Sequence, residues 1–203
     1  PVTDVGSLPD LTDECTVSAP TPPTATDNCD AETIDGTPDV TFPVTTQGTT
    51  VVTWTFEDSQ GNTSTQTQNV IIDDVTAPVA DAGSFVDLTG ECSVEAPTPP
   101  TATDNCDGSG ITGTPDVTFP VTAQGTTVVT WTFEDSQGNT STQTQNVIID
   151  DVTAPVVDAV SLPDLTDECS VSAPPAPTAT DNCDAGTIEG TPDVTFPITM
   201  QGK

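Results

Sequence analysis

Apolar and polar side chains alternate along residues 51–56: Val52, Trp54 and Phe56 fall on one face of an extended chain, Thr53 and Thr55 on the other. With Gly48 as a turn residue ahead of them, residues 48–56 are predicted to form a turn and then a strand whose Val52 face lies in the core. Glu57, Asp58, Ser59, Gln60, Gly61 and Asn62 interrupt the pattern with turn formers. Residues 63–72 resume as a strand, polar on both faces in its first half and ending in Val70, Ile71 and Ile72. The two strands predict a hairpin whose polar stretch overhangs the core or lies at an edge. Upstream, Val40, Phe42 and Val44 alternate, but Pro43 removes a ladder donor and marks an edge or a break. The stretch 19–26 carries Pro20, Pro22 and Pro23 and is predicted to be extended. No helical period appears, so the pattern predicts an antiparallel sandwich of about seven strands.

This pattern recurs. Cys15, Cys92 and Cys169 are spaced by 77 residues, as are Cys29, Cys106 and Cys183, and as are Trp54 and Trp131. Residues 36–79 and 113–156 differ only at Thr46 against Ala123. The chain is therefore read as a tandem array, with repeats at 1–77, 78–154 and 155–203, the last without the Trp-bearing strand. That third copy is expected to expose an edge and an apolar face, and to be unstable alone or to capture strands from another chain. The chain is expected to be a piece of a longer protein that continues after Gly202 and Lys203 close to Thr-Val-Val-Thr-Trp-Thr.

Charge narrows the partners. There are 32 acidic residues against one basic residue, Lys203, with no His and no Tyr, for a net charge of -31. Such a surface repels nucleic acid and anionic membranes. The acids divide 13, 11 and 8 among the three copies, so the charge belongs to the repeat rather than to a tail. No apolar run approaches the roughly 18 residues that would span a bilayer, so no direct membrane insertion is expected. Two cysteines per repeat, 14 positions apart, predict local disulfides Cys15 with Cys29, Cys92 with Cys106 and Cys169 with Cys183. Each would close a loop of about 15 residues, worth about 3 kcal/mol in the chain-entropy model. Zinc is disfavoured because two thiols without His half fill a tetrahedral site. Disulfides imply an oxidising compartment.

The motifs Pro20 through Thr24-Ala25-Thr26-Asp27-Asn28-Cys29, Phe42-Pro43, Gly48-Thr49-Thr50-Val51 and Asp58-Ser59-Gln60-Gly61-Asn62 together resemble the hyalin repeat, an immunoglobulin-like extracellular module. The resemblance covers both complete copies and the available part of the third. With the linker 73–78 and the run 47–55, the chain is more narrowly similar to the repeats of giant gliding-motility adhesins of Bacteroidota. That resemblance implies tandem immunoglobulin-like antiparallel β-sandwich repeats forming an elongated rod. It also implies a cell-surface filament exported by the type IX system and anchored through other regions.

Candidate chemistry lies in the carboxylates. An enzyme is not expected: there is no His, Tyr or Lys within the repeats to act as a base, near-identical small repeats offer no deep cleft, and the aromatic residues are claimed by the core. Three acidic clusters recur instead, at Asp27 and Asp30, at Glu57 and Asp58, and at Asp73 and Asp74. In an immunoglobulin-like sandwich the exit of one repeat meets two loops of the next. That juxtaposition would bring Asp73, Asp74 and Asp81 beside Asp104, Asp107, Glu134 and Asp135, and Asp150, Asp151 and Asp158 beside Asp181 and Asp184. Oxygen-only ligands drawn from several loops suit calcium.

The sequons Asn62-Thr63-Ser64 and Asn139-Thr140-Ser141 serve turns equally well. Rows of Thr at 63, 65 and 67 match ordinary solvent-facing strand residues better than a recognition face. The function expected is a calcium-stiffened adhesin rod on the cell surface that holds an adhesive tip. Its partners would be neighbouring repeats of the same chain or other copies of the filament. The alternatives are repeats that themselves bind surface polysaccharide at many weak sites, and a noncatalytic spacer in a secreted hydrolase.

Overall fold

The computed structural model describes residues 1–199, and among these every regular element is a strand. The expectations attached to Gly202 and Lys203 lie outside the described residues. The first copy holds β1 (Val2–Thr3), β2 (Leu11–Asp13), β3 (Thr24–Thr26), β4 (Ile34–Asp35), β5 (Thr37–Pro38), β6 (Gly48–Glu57) and β7 (Thr63–Ile72). The second holds β8 (Val79–Ala80), β9 (Leu88–Gly90), β10 (Thr101–Asp104), β11 (Gly108–Thr112), β12 (Thr114–Pro115), β13 (Gly125–Glu134) and β14 (Thr140–Ile149). The third contributes β15 (Val156–Val157), β16 (Thr178–Thr180) and β17 (Ile188–Glu189). Contacts divide the chain into two compact units. One is Pro1–Gly83 with Pro99–Thr114 and Trp131–Gln143, and the other is Ser84–Thr98 with Pro115–Thr130 and the chain from Thr144 onward.

In the first unit, β1-β3-β4 form one sheet of the first copy and β2-β7-β6-β5 the other. The alternation read from the sequence is what joins them. Val52, Trp54 and Phe56 of β6 and Val70 and Ile72 of β7 pack with Ala25 of β3, Val17 and Val44 into one buried cluster. Val17 and Val44 also exchange backbone hydrogen bonds at 3.0 Å, the one ladder contact that Pro43 leaves to its segment. The long hairpin is in register from Gly48 against Ile72 to Glu57 against Thr63. One face of its polar half meets the 4–10 loop, where Gln66 Nε2 donates to Val5 O at 2.9 Å, while Thr63, Thr65 and Thr67 on the other face are exposed. The buried Gln68 accepts from Trp54 Nε1 at 3.0 Å and donates to Pro9 O at 2.8 Å. The indole N–H in the core is thereby satisfied, which removes the main penalty of burying a Trp.

Two strand pairs, one in each of the first two copies, depart from the antiparallel expectation. β2 runs parallel to β7, Leu11 opposite Val70, and β9 runs parallel to β14, Leu88 opposite Val147. The reason is chain direction: β1 and β2 lie in different sheets, and the chain that switches between them meets β7 running the same way.

In the second unit, β15-β16-β17 form a three-stranded sheet, and Val171 pairs with Ile198 as Val17 does with Val44. Leu162, Leu165 and Val194 of the third copy are exposed. They line a cleft of about 540 Å³ together with Pro174, Pro175 and Phe196. Their counterparts Leu8, Leu11 and Val40 pack against the core of the first copy.

Close packing at Phe133 gives a direct test. A Cβ on Gly113 would lie 2.8 Å from Phe133 Cε1 and 3.2 Å from Pro100 Cγ, whereas one on Gly83 would meet nothing within 4 Å. Gly113→Ala is expected to lower stability by roughly 1–3 kcal/mol, and Gly83→Ala to change it by less than about 0.5 kcal/mol. Urea unfolding of the two variants checks this, and equal midpoints would contradict the seat described for Phe133.

A candidate cation joint between successive repeats

Strand geometry decides which cysteines can meet. Cys15 follows β2, which runs beside the end of β7 where the chain leaves the repeat; Asp73 N donates to Asp13 O at 3.1 Å. Cys29 lies at the other end: its neighbour Asp30 accepts from Ser59 N at 3.0 Å and from Ser59 Oγ at 2.7 Å, in the turn between β6 and β7. Ten-residue strands place those ends about 30 Å apart, far beyond the Cα separation of roughly 7 Å that a disulfide tolerates. The expected pairs Cys15 with Cys29, Cys92 with Cys106 and Cys169 with Cys183 therefore do not form. The disulfides are Cys15–Cys106 and Cys92–Cys183, each spanning 91 residues, and Cys29 and Cys169 are free and exposed. Each bond laps one repeat onto the next. In the chain-entropy model a loop of this size is worth about 4–5 kcal/mol, and because the two loops overlap their contributions are not additive.

The first bond fastens a joint whose parts all lie in the first unit. Asn105 Nδ2 donates to Glu14 Oε2 at 2.7 Å and lies 3.4 Å from Cys15 Sγ. Glu14 also accepts from Thr76 Oγ1 at 2.7 Å. Gln47 clamps the exit segment, accepting from Asp74 N at 3.2 Å and donating to Glu14 O at 3.1 Å. Asn139 Nδ2 donates to Asp74 O at 2.9 Å, and Ser141 Oγ donates to Pro78 O.

Beneath the disulfide lie Asp74, Asp104 and Asp135, all buried, with one carboxylate oxygen from each within 4.8 Å of the others. Local turns use part of each group. Asp74 Oδ1 accepts from Thr76 N at 3.2 Å, and Asp104 Oδ1 from Cys106 N at 2.8 Å and Asp107 N at 3.1 Å. Asp135 accepts from Gln137 N, Asn139 N and Asn139 Nδ2 at 2.8–2.9 Å. Asp74 Oδ2 and Asp104 Oδ2 have no hydrogen-bond partner. Buried acceptors of this kind are costly and rare in native folds.

Burial, followed by the charges of Asp104, Asp135 and Glu14, pushes the Asp74 carboxyl above the ordinary carboxylate range. Burial opposes charge on Asp135 as well, but the bonds from Asn139, Gln137 and Gly138 outweigh it and hold that carboxyl low. Three converging carboxylates with two free buried oxygens fit a hard divalent cation, and the exclusively oxygen donor set suits calcium over zinc.

The second unit repeats the arrangement around Cys92–Cys183. Asn182 Nδ2 donates to Glu91 Oε2 at 2.8 Å, Thr153 Oγ1 to Glu91 Oε2 at 2.9 Å, and Gln124 Oε1 accepts from Asp151 N at 3.2 Å. Asp151, Asp181 and Cys183 group there.

Of the twelve carboxylates expected at the joints, the structure gathers Asp74, Asp104 and Asp135 in one and Asp151 and Asp181 in the other. The remainder are engaged elsewhere or exposed. Asp81 accepts from the hydroxyls of Thr101 and Thr103, which hold its carboxyl low. Asp158 accepts from the Thr178 hydroxyl. Asp107 ties the hairpin turn through Ser136 N at 2.6 Å and Ser136 Oγ at 2.8 Å. Asp73, Glu134, Asp150 and Asp184 are exposed. Glu14, Gln47, Asn105 and Asn139 were not foreseen. The signal for Glu14 and Asn105 was the recurrence of Glu immediately before Cys15, Cys92 and Cys169, and of Asn immediately before Cys29, Cys106 and Cys183.

A family model described as a HYR-like domain with 4 cysteines matches residues 7–72 and 77–149, and each matched segment here holds two cysteines. Two proteins named Hyalin are similar to this chain. The one from Lytechinus variegatus is 39% identical over 183 residues, covering 79% of this chain and 33% of its own length. The one from Strongylocentrotus purpuratus is 38% identical over 182 residues, covering 80% of this chain and 15% of its own length. The chain thus spans a third or less of either relative. Among solved structures, the Protocadherin GammaB4 extracellular domain is 16% identical with a TM-score of 0.33, covering 88% of this chain and 37% of that one. The human Desmocollin-1 ectodomain is 15% identical with a TM-score of 0.27, covering 66% and 31%.

The raised Asp74 carboxyl carries a signed prediction. Ionising it costs the metal-free fold stability, a cost absent below the unfolded value near about 3.9 and complete once pH exceeds the folded value. In chelator at neutral pH, Asp74→Asn is therefore expected to melt above the parent chain, with the difference shrinking as pH falls through the carboxylate range. Thermal melts across pH 3–8 read this, and a variant that melts lower throughout would contradict the assigned cost.

Proposed function

We propose that this chain, which belongs to the family of HYR-like domains with four cysteines, is a noncatalytic structural array in an extracellular adhesive protein, and that calcium at each joint fixes one repeat against the next. The buried Asp74, Asp104 and Asp135 with two unpartnered oxygens carry the calcium reading. Asp74 comes from the exit of one repeat and Asp104 and Asp135 from two loops of the next, so a cation held by all three makes the interrepeat angle depend on calcium. Disulfides support an oxidising location outside the cytoplasm. The absence of His and Tyr supports a noncatalytic role. The partners are the neighbouring repeats of the same chain. A role in presenting an adhesive tip during gliding is a narrower form of this proposal, resting on the linker 73–78 and the run 47–55.

Thermal unfolding and small-angle scattering of the intact, oxidised chain, with calcium and with chelator, test the proposal. At calcium near 100-fold above its dissociation constant, the melting temperature should rise by about 5 °C or more, and the spread of interatomic distances should narrow. Asp104→Asn should abolish most of both effects. Identical melting and scattering in the two conditions would overturn the calcium reading.

A further inference from the structure

The lapped disulfides change how tension passes along the array. Each bond spans 91 residues and the period is 77, so consecutive bonds overlap by 14 residues. A covalent path runs from Cys15 across to Cys106, back along the chain to Cys92, and across to Cys183. Residues 16–91 and 107–182 lie off that path. They include both Trp-bearing hairpins, β6–β7 and β13–β14, and both linkers that carry Asp74 and Asp151.

The one stretch of each repeat on the path has little slack. Between the bend at Cys92 and the turn that begins at Asn105, the chain is extended without helix or turn. Pro97, Pro99 and Pro100 restrict it further. Proline-rich extended chain already rises about 3.1 Å per residue, close to the limit of about 3.3–3.6 Å.

We propose that the overlapping disulfides form a continuous covalent tie that carries end-to-end tension through a 14-residue extended segment per repeat, and that this tie keeps load off the Trp-bearing hairpins and off the linkers that carry Asp74 and Asp151. Under this tie, each repeat added to the array adds 14 rather than 77 residues of stretchable chain, and reduction of the bonds converts the array from inextensible to extensible. The inference requires only covalent connectivity. It stands or falls apart from calcium and from any adhesive role.

Single-molecule force extension of the whole chain, held at its two termini and with the free thiols Cys29 and Cys169 alkylated after oxidation, tests it. Because the final length is topological, the reading does not depend on whether any domain is folded. The tie predicts a full extension of about 180 Å from about 48 residues on the path, rising to about 700 Å in reductant. Cys106→Ser removes one lap and should extend to about 390 Å. A value near 570 Å for the oxidised chain, which local pairing would give, or no change in Cys106→Ser, would overturn the proposal.

Discussion

The ten-residue hairpin β6–β7 sets the length of a repeat, and most of the remaining structure depends on that length. It keeps Cys15 at the exit end and Cys29 at the turn end of one sandwich, too far apart to bond, so each must look to a neighbouring copy. The bond that forms, Cys15–Cys106, brings the exit of the first copy against the turn end of the second. Glu14, Gln47 and Asn105 then order the exit segment, and Asp74 comes to rest against Asp104 and Asp135. The core of a single sandwich is modest, with one Trp, one Phe and a few Val and Ile at its centre, so an interrepeat bond worth several kcal/mol is a large share of what holds each copy.

Negative charge is distributed unevenly in its consequences. Asp13 and Asp58 cap turns and Asp81 accepts from Thr hydroxyls, and the bonds these three accept hold their carboxyls below the ordinary range. Those groups contribute stability above the carboxylate range that is lost as pH falls through it. Asp74 has the opposite sign, because burial and three neighbouring acids outweigh its single bond from Thr76. Among the described residues, the two buried carboxylate oxygens without partners belong to Asp74 and Asp104, which concentrates the demand for a cation at one place.

The strands were legible because alternation is a local property. Thr63–Ile72 lies where the pattern placed it, the Val52, Trp54 and Phe56 face is the core, and Pro43 confines its segment to a single bridge. Of the seven carboxylates expected where the first exit segment meets two loops, Asp74, Asp104 and Asp135 lie together. The disulfide pairing was not legible, for a physical reason. A periodic sequence reports positions only within its period, and partners 14 and 91 residues apart occupy the same places in the repeat. Only the length of the hairpin distinguishes them. Asp81 and Asp107 were drawn away from the joint by Thr101, Thr103 and Ser136, side chains whose hydroxyls carry no distinctive signal in a chain rich in Thr.

The lapped pairing is the central claim, and peptide mapping of the unreduced protein tests it most directly. The tripeptide Asp-Asn-Cys precedes three different partners, so cleavage at Asp cannot tell them apart, whereas cleavage after Glu gives distinct fragments. The account predicts fragment 15–32 joined to 96–134, and fragment 92–95 joined to 169–189. Fragment 92–95 joined to 96–134, with 15–32 and 169–189 each closed on itself, would contradict it.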